Sequence, residues 1–157
     1  MKSLVVYYSS SGNTKFIAQS IADELKADIA ELEPEKELNA TGAGYVYWGL
    51  RQLLVRNDRK IKPLQKNISN YDLIIIGTPV WSFTMTPPIR NFLKNNSFSG
   101  KKVALFCCHG GQKGKTFENM LSLIENADIV GKSDYQEPLK SNPGKSKEKA
   151  LNWAHSL

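Results

Sequence analysis

The 157 residues predict a single α/β domain, residues 1–157, built as a three-layer, doubly wound, five-stranded parallel sheet. Three observations lead there. Short continuous apolar runs alternate with segments of helical period, the pattern left by crossover units whose strands are buried on both faces. Polar loops follow several of those runs, at the strand ends where open α/β sheets collect ligands. Hydrophobic residues at 41% and charged residues at 23% fit a globular domain and exclude a disordered chain.

Residues 4–8 form a first strand, and Phe16, Ile17, Ile21 and Leu25 then share one face of a helix. Residues 28–32 make a short second strand that Pro34 ends. After the turn-like residues 39–44, a helix over 45–55 would bury Val46, Leu50, Leu53 and Leu54, leaving some of Tyr45, Tyr47 and Trp48 off that face. Residues 60–70 read as a polar connection. Residues 71–77, centred on Leu73-Ile74-Ile75-Ile76, are the clearest buried strand. Pro87 and Pro88 suit the first turn of a helix running on through 89–93. Residues 102–107 add a strand, 116–126 a helix, 127–135 the last strand and 145–156 a terminal helix. No repeat, low-complexity tract or linker divides the chain.

The apolar start is too short for a signal peptide core, and no stretch approaches the roughly 18 apolar residues of a membrane span. A cytoplasmic protein without membrane insertion is expected. Cys107 and Cys108 are adjacent, so they cannot frame a secreted disulfide scaffold; two reduced thiols are expected rather than a strained vicinal disulfide. The net charge of +6 is uneven. Residues 23–37 are acidic, whereas Arg51, Arg56, Arg59, Lys60, Lys62 and Lys66 make a basic stretch and Lys140, Lys145, Lys147 and Lys149 a basic tail. No aromatic-and-basic motif of the RNA-binding kind accompanies them, so the charge predicts a docking face for an acidic protein, not for nucleic acid.

The chemistry concentrates in Ser9-Ser10-Ser11-Gly12-Asn13-Thr14, between the first strand and the first helix. A helix start offers unpaired N–H groups and the positive end of its dipole, and Gly12 lets the backbone come close. One such residue suffices to cap a helix. Six small polar residues in a row point to a phosphate held by amides and hydroxyls, without a fixed positive charge. Gly110-Gly111-Gln112-Lys113-Gly114-Lys115-Thr116 nearly spells a nucleotide-binding P-loop but is one residue short between its glycines, and Gly42-Ala43-Gly44 lacks the third glycine of a dinucleotide fingerprint.

The segment from Ser9 to Thr14 resembles the phosphate loop of the flavodoxin family, in which hydroxyl, any residue, hydroxyl, Gly, Asn, Thr is met by Ser9, Ser11, Gly12, Asn13 and Thr14. The likeness extends to Thr78-Pro79-Val80-Trp81 and to Cys107-Cys108-His109-Gly110-Gly111, which look like the two loops that clasp an isoalloxazine ring. The resemblance implies a flavodoxin-like fold of strand order 2-1-3-4-5 and one FMN held by Ser9, Ser10, Ser11, Gly12, Asn13, Thr14, Thr78, Pro79, Val80, Trp81, Cys108, His109, Gly110 and Gly111. Trp81 would lie against the flavin or, read as plain packing, lid the core with Phe83 or Met85. His109 would sit by the flavin N1/C2 edge or in solvent. Two departures stand out. Trp81-Ser82-Phe83-Thr84 has no glycine whose peptide could turn toward reduced flavin, and positive φ at other residues costs roughly 1 kcal/mol. A stacking tyrosine is missing after the fourth strand. The implied function is electron carriage between a reductase and acceptor proteins, acidic ones being favoured by the chain's own charge, with an NAD(P)H-dependent flavin or quinone reductase as the alternative. No catalytic side chain or metal is expected, and the chain would be a monomer or weak dimer.

Overall fold

A computed structural model describes residues 1–36 and 59–157. In chain order these form β1 (Ser3–Tyr7), α1 (Asn13–Leu25), β2 (Asp28–Glu31), a 3₁₀ turn (Ile68–Asn70), β3 (Leu73–Trp81), β4 (Thr84–Met85), α2 (Pro87–Lys94), β5 (Lys102–His109), α3 (Thr116–Leu121), β6 (Asp128–Gln136) and α4 (Pro143–His155). The helix expected over 45–55 and the turn over 39–44 lie outside the described residues.

The sheet runs β2-β1-β3-β5-β6, every neighbouring pair parallel, and β4 pairs antiparallel with β3 alone. Counting only the parallel strands, this is the expected order 2-1-3-4-5. Side chains alternate across each strand. Leu4, Val6, Ile74, Ile76, Val103 and Leu105 pack with Ile89 and Phe92 of α2 and Met120 of α3 in one layer. Val5, Leu73, Ile75, Ala104 and Phe106 pack with Ile17 and Ile21 of α1 and Ala150 of α4 in the other. The apolar runs are continuous because both faces are covered.

That alternation decides the cysteines. Cys107 belongs to the first layer and Cys108 to the second, and both thiols are unbridged. Burial pushes both thiols up, Cys108 to about 12 with a small opposing pull from the Thr14 hydroxyl. Where the sheet is most crowded, a Cβ on Gly77 would lie 2.0 Å from Phe106 Cζ, so only glycine lets that ring cross the strand.

Most boundaries shift by one or two residues from expectation, and three of the shifts bear on the site or its supports. β3 continues to Trp81 because Val80 and Trp81 pair back onto Met85 and Thr84, a hairpin hidden behind Gly77-Thr78-Pro79. Pro79 is tolerated there since β1 ends opposite Gly77, leaving only β5 alongside. β5 likewise runs on to His109, which pairs with Gln136. α3 stops at Leu121, and the chain then tightens through bonds from Leu123 N to Met120 O and from Ile124 N to Leu121 O.

Candidate functional site

Tyr8 N donates to Gly77 O (3.2 Å) as β1 ends, and the chain then turns through Ser9–Gly12. Ser9 Oγ accepts from the backbone N–H groups of Gly12 and Lys15, both at 3.2 Å. Gly12 takes φ 90°, and its carbonyl receives Phe16 N at 2.9 Å, opening α1. Asn13 braces the loop twice: its Nδ2 donates to Ser11 Oγ (3.1 Å) and its Oδ1 accepts from Leu139 N (3.1 Å). Thr14 is buried with its hydroxyl against Cys108. Among the described residues no acceptor meets the N–H groups of Ser10, Ser11, Asn13 and Thr14. Four such amides at the positive end of a 13-residue helix present a cluster of donors of the kind that suits an anion. Ser9 shapes this loop, whereas Ser10 and Ser11 are exposed.

At the end of β3, Thr78 is fully buried and works inside the hairpin: its Oγ1 donates to Pro79 O (2.8 Å) and accepts from Thr86 N (3.1 Å). Pro79 is buried and Val80 half-buried. Trp81 is buried with its ring edge-on to Tyr8, centroids 5.8 Å apart, in the same cluster as Met85. The packing alternative therefore describes Trp81 and Met85 but not Phe83, which is 63% exposed. Ser82 and Phe83 sit at φ 48° and 64°, so a loop without glycine is left-handed at two successive positions. The loop after β5 braces it. Lys115 N donates to Phe83 O (3.0 Å), Asn119 Nδ2 donates to Thr84 Oγ1 (2.7 Å), and a Cβ on Gly114 would lie 2.5 Å from Phe83 O.

His109 closes β5. Its Nε2 lies 3.1 Å from Asp134 Oδ2, Lys113 Nζ holds the other carboxylate oxygen at 3.1 Å, and Lys149 Nζ donates to the Asp134 carbonyl at 2.6 Å. Burial alone would raise the Asp134 carboxyl, but the bonds from His109 and Lys113 and the nearby lysine charges outweigh it and hold the group below the usual range. The His109 side chain is 8% exposed, and its Nδ1 is buried without a hydrogen-bond partner. It is thus neither in solvent nor satisfied by protein. Asp134 orients the ring through Nε2, which leaves Nδ1 as a buried hydrogen-bonding atom with no partner among the described residues. Gly110 and Gly111 are exposed, and a Cβ on either would meet nothing within 4 Å.

Two contributors went unread in sequence. Asp134 hides in the alternation of β6. Residues 137–141 follow that strand, with Glu137 N on His109 O (2.9 Å) and Leu139 across from Gly12; their one signal was their position after the last strand. Among the described residues no group of three or more His, Cys, Asp or Glu could hold a metal, and no helix is long and apolar enough to cross a membrane.

A sequence profile of the family Flavodoxin matches residues 2–154. The chain belongs to the flavodoxin family. A flavoprotein from Lactobacillus acidophilus NCFM, solved in complex with FMN, is 29% identical with a TM-score of 0.71, covering 88% of this chain and 95% of that one. Oxidised flavodoxin 2 from Bacillus cereus, at 24% identity and TM-score 0.59 over 99% and 97% of the two chains, shares the fold. The NAD(P)H dehydrogenase (quinone) 3 of Rhizobium meliloti is 30% identical over 77% of this chain, which spans 59% of that relative's length. In this flavodoxin-family protein the loops after β1, β3 and β5 meet at the one edge where the strand order reverses, at β1 and β3.

Proposed function

We propose that this flavodoxin-family protein holds one FMN non-covalently and carries electrons between a reductase and acceptor proteins, as a single domain spanning residues 1–157. The observation that carries this reading is the cradle over Ser10–Thr14, four unpaired amides around a left-handed Gly12. It suits a phosphate monoester, and the similar Lactobacillus acidophilus flavoprotein was solved with FMN. When bound, FMN supplies the redox chemistry through its isoalloxazine.

The chain's own residues bind and orient. Ser10, Ser11, Gly12, Asn13 and Thr14 hold the phosphate, with Ser9 shaping their loop. The segment of Thr78, Pro79, Val80 and Trp81 would form one wall through its backbone, its outline fixed by the buried Thr78 hydrogen bonds and the core-packed Trp81 ring. Cys108, His109, Gly110 and Gly111 form the other, in which the buried Nδ1 of His109 supplies a hydrogen-bonding group and Asp134 sets its orientation. We assign no catalytic side chain and no metal, because a carrier needs only a held and tuned cofactor. Reduced, deeply buried thiols suit the cytoplasm. The net charge of +6 suits acidic redox partners and opposes strong self-association, hence a monomer or weak dimer.

The test is a fluorescence titration of apoprotein with FMN and with riboflavin. FMN should bind about a hundredfold more tightly, the gap being the phosphate's share. Colourless protein that ignores FMN at micromolar concentration would end this reading. A second reading, an NAD(P)H-driven flavin or quinone reductase, is favoured by the Rhizobium meliloti relative. Steady-state oxidation of NADH or NADPH by quinone, without added reductase, would establish it over carriage.

A further inference from the structure

We propose that the groove between α2 and α3 is a second ligand site, separate from the loop after β1, and that it takes a small phosphate ester whose organic part carries hydroxyl or amino groups. This goes beyond the electron-carrier reading and does not rest on it. The groove encloses about 430 Å³ beside Arg90 and Asn119, and continues past Ser122 into a space of about 670 Å³ beside Asn95, Asn96 and Glu125. Both volumes are of the size that small ligands fill.

Arg90 decides what the first half wants. It is half-buried on α2, and its guanidinium makes no hydrogen bond or ion pair among the described residues, whereas Arg59, the other arginine among them, is engaged. Covering a cation without pairing it is costly, and arginines are seldom buried that way. Its nitrogens are not sealed off, so an anion from outside can reach them. Lys94 lines the same half and no acid does, among the described residues. Asn119, pinned to Thr84 Oγ1 at 2.7 Å, holds the opposite wall in place. A guanidinium fork matches phosphate oxygens, and a dianion gains more from such surroundings than a single carboxylate would.

The second half has the opposite character. Asn95 Nδ2 donates to Asn91 O and Asn96 Nδ2 to Phe92 O, both at 2.8 Å. Each carboxamide oxygen is left without a donor among the described residues, and so is the Glu125 carboxylate. The negative end of the α2 dipole lies here as well. Acceptors in this number suit a ligand end that donates. Asn95 follows Arg90 by five residues, about 7 Å along a helix axis. That is comparable to the reach from a phosphate to the far hydroxyls of its sugar. Donors at one end and acceptors at the other therefore select a phosphate ester over a free anion.

Adenosine 5′-monophosphate and ribose 5-phosphate are the probes, with adenosine and inorganic phosphate as controls. The ¹⁵N-labelled full chain, supplied with FMN to occupy the loop after β1, is titrated with each while amide shifts are followed. Both esters should move residues 85, 90, 94–97 and 119–123 and bind about tenfold more tightly than either control. Arg90→Leu should weaken both esters by about tenfold and Arg90→Lys should restore part of that loss, with FMN affinity unchanged in each variant. Absence of any shift at millimolar ester, shifts confined to residues 9–14, or Arg90→Leu protein that binds as the parent does would each overturn the proposal. So would inorganic phosphate binding as tightly as the esters, which would make this a site for the free anion. A chain that takes the esters in this groove yet never takes up FMN would sink the carrier reading and leave this site standing.

Discussion

At the amino ends of the strands, Tyr71 donates its hydroxyl to Asp28 at 2.6 Å, Lys66 pairs with the same carboxylate at 3.2 Å, and Lys101 caps the Tyr71 carbonyl at 2.7 Å. Lys2 lies over the Tyr71 ring and gives its N–H to Asp72. At the carboxyl ends of the same sheet, four amides of residues 10–14 find no acceptor among the described residues, His109 Nδ1 is buried with no partner among them, and Phe83 stands exposed on a strained turn. Left-handed residues occur at both ends but do different work. Lys26 ends α1 and returns the chain to β2, whereas Gly12, Ser82 and Phe83 aim groups outward. One end is satisfied by its own partners; the other holds groups in readiness for partners from outside. Stability and binding should accordingly separate along the strand axis.

Gly77→Ala should have the largest effect, because the new Cβ meets the Phe106 ring between the two ends. We expect a loss of about 3 kcal/mol in denaturant unfolding, the upper part of the usual cost of overpacking. Gly12→Val comes next: it forces a β-branched residue to φ 90°, so FMN affinity should fall by about 2 kcal/mol, some thirtyfold, alongside a smaller loss of about 1 kcal/mol in unfolding free energy from the strained backbone. Tyr71→Phe is its mirror at the satisfied end. It removes the bond to Asp28 and should lower Tm by about 4 °C while leaving FMN affinity alone; a loss of FMN would erase the separation. Phe83→Gly should stabilise by about 1 kcal/mol through relief of its positive φ, confirming that the turn is strained.

The smallest effect concerns acid. Asp28, through Tyr71 and then Lys66, and Asp134, through His109 and Lys113 against its own burial, both have folded-state pKa values below the ordinary one. Their stabilisation is complete above the unfolded carboxyl value near 4 and is lost as pH falls through the lower folded value. Urea unfolding of Asp134→Asn should show a flatter decline below about pH 4 than the parent.

The strands were legible because burial on both faces writes itself as unbroken apolar runs, as in residues 73–76. The loop of unpaired amides at the start of α1 was legible as a candidate site because small polar residues exceeded what a cap requires. The hairpin was not. Ser82-Phe83 is a poor sequence for a left-handed turn, and only tertiary braces from Gly114 and Lys115 impose it. Trp81 could not be placed from residues alone, since an aromatic at a strand end faces either the core or the edge according to register. Asp134 was hidden because alternate residues of β6 are merely half-exposed, and nothing in one sequence marks the His109 ring as its neighbour.

The opposed side chains of Cys107 and Cys108 have a practical corollary. Both are sealed in separate layers and resist ionisation, so alkylating dyes and spin labels should pass them by. A cysteine introduced on the surface would be the sole reactive thiol, and a single fluorophore could be installed on otherwise unaltered protein.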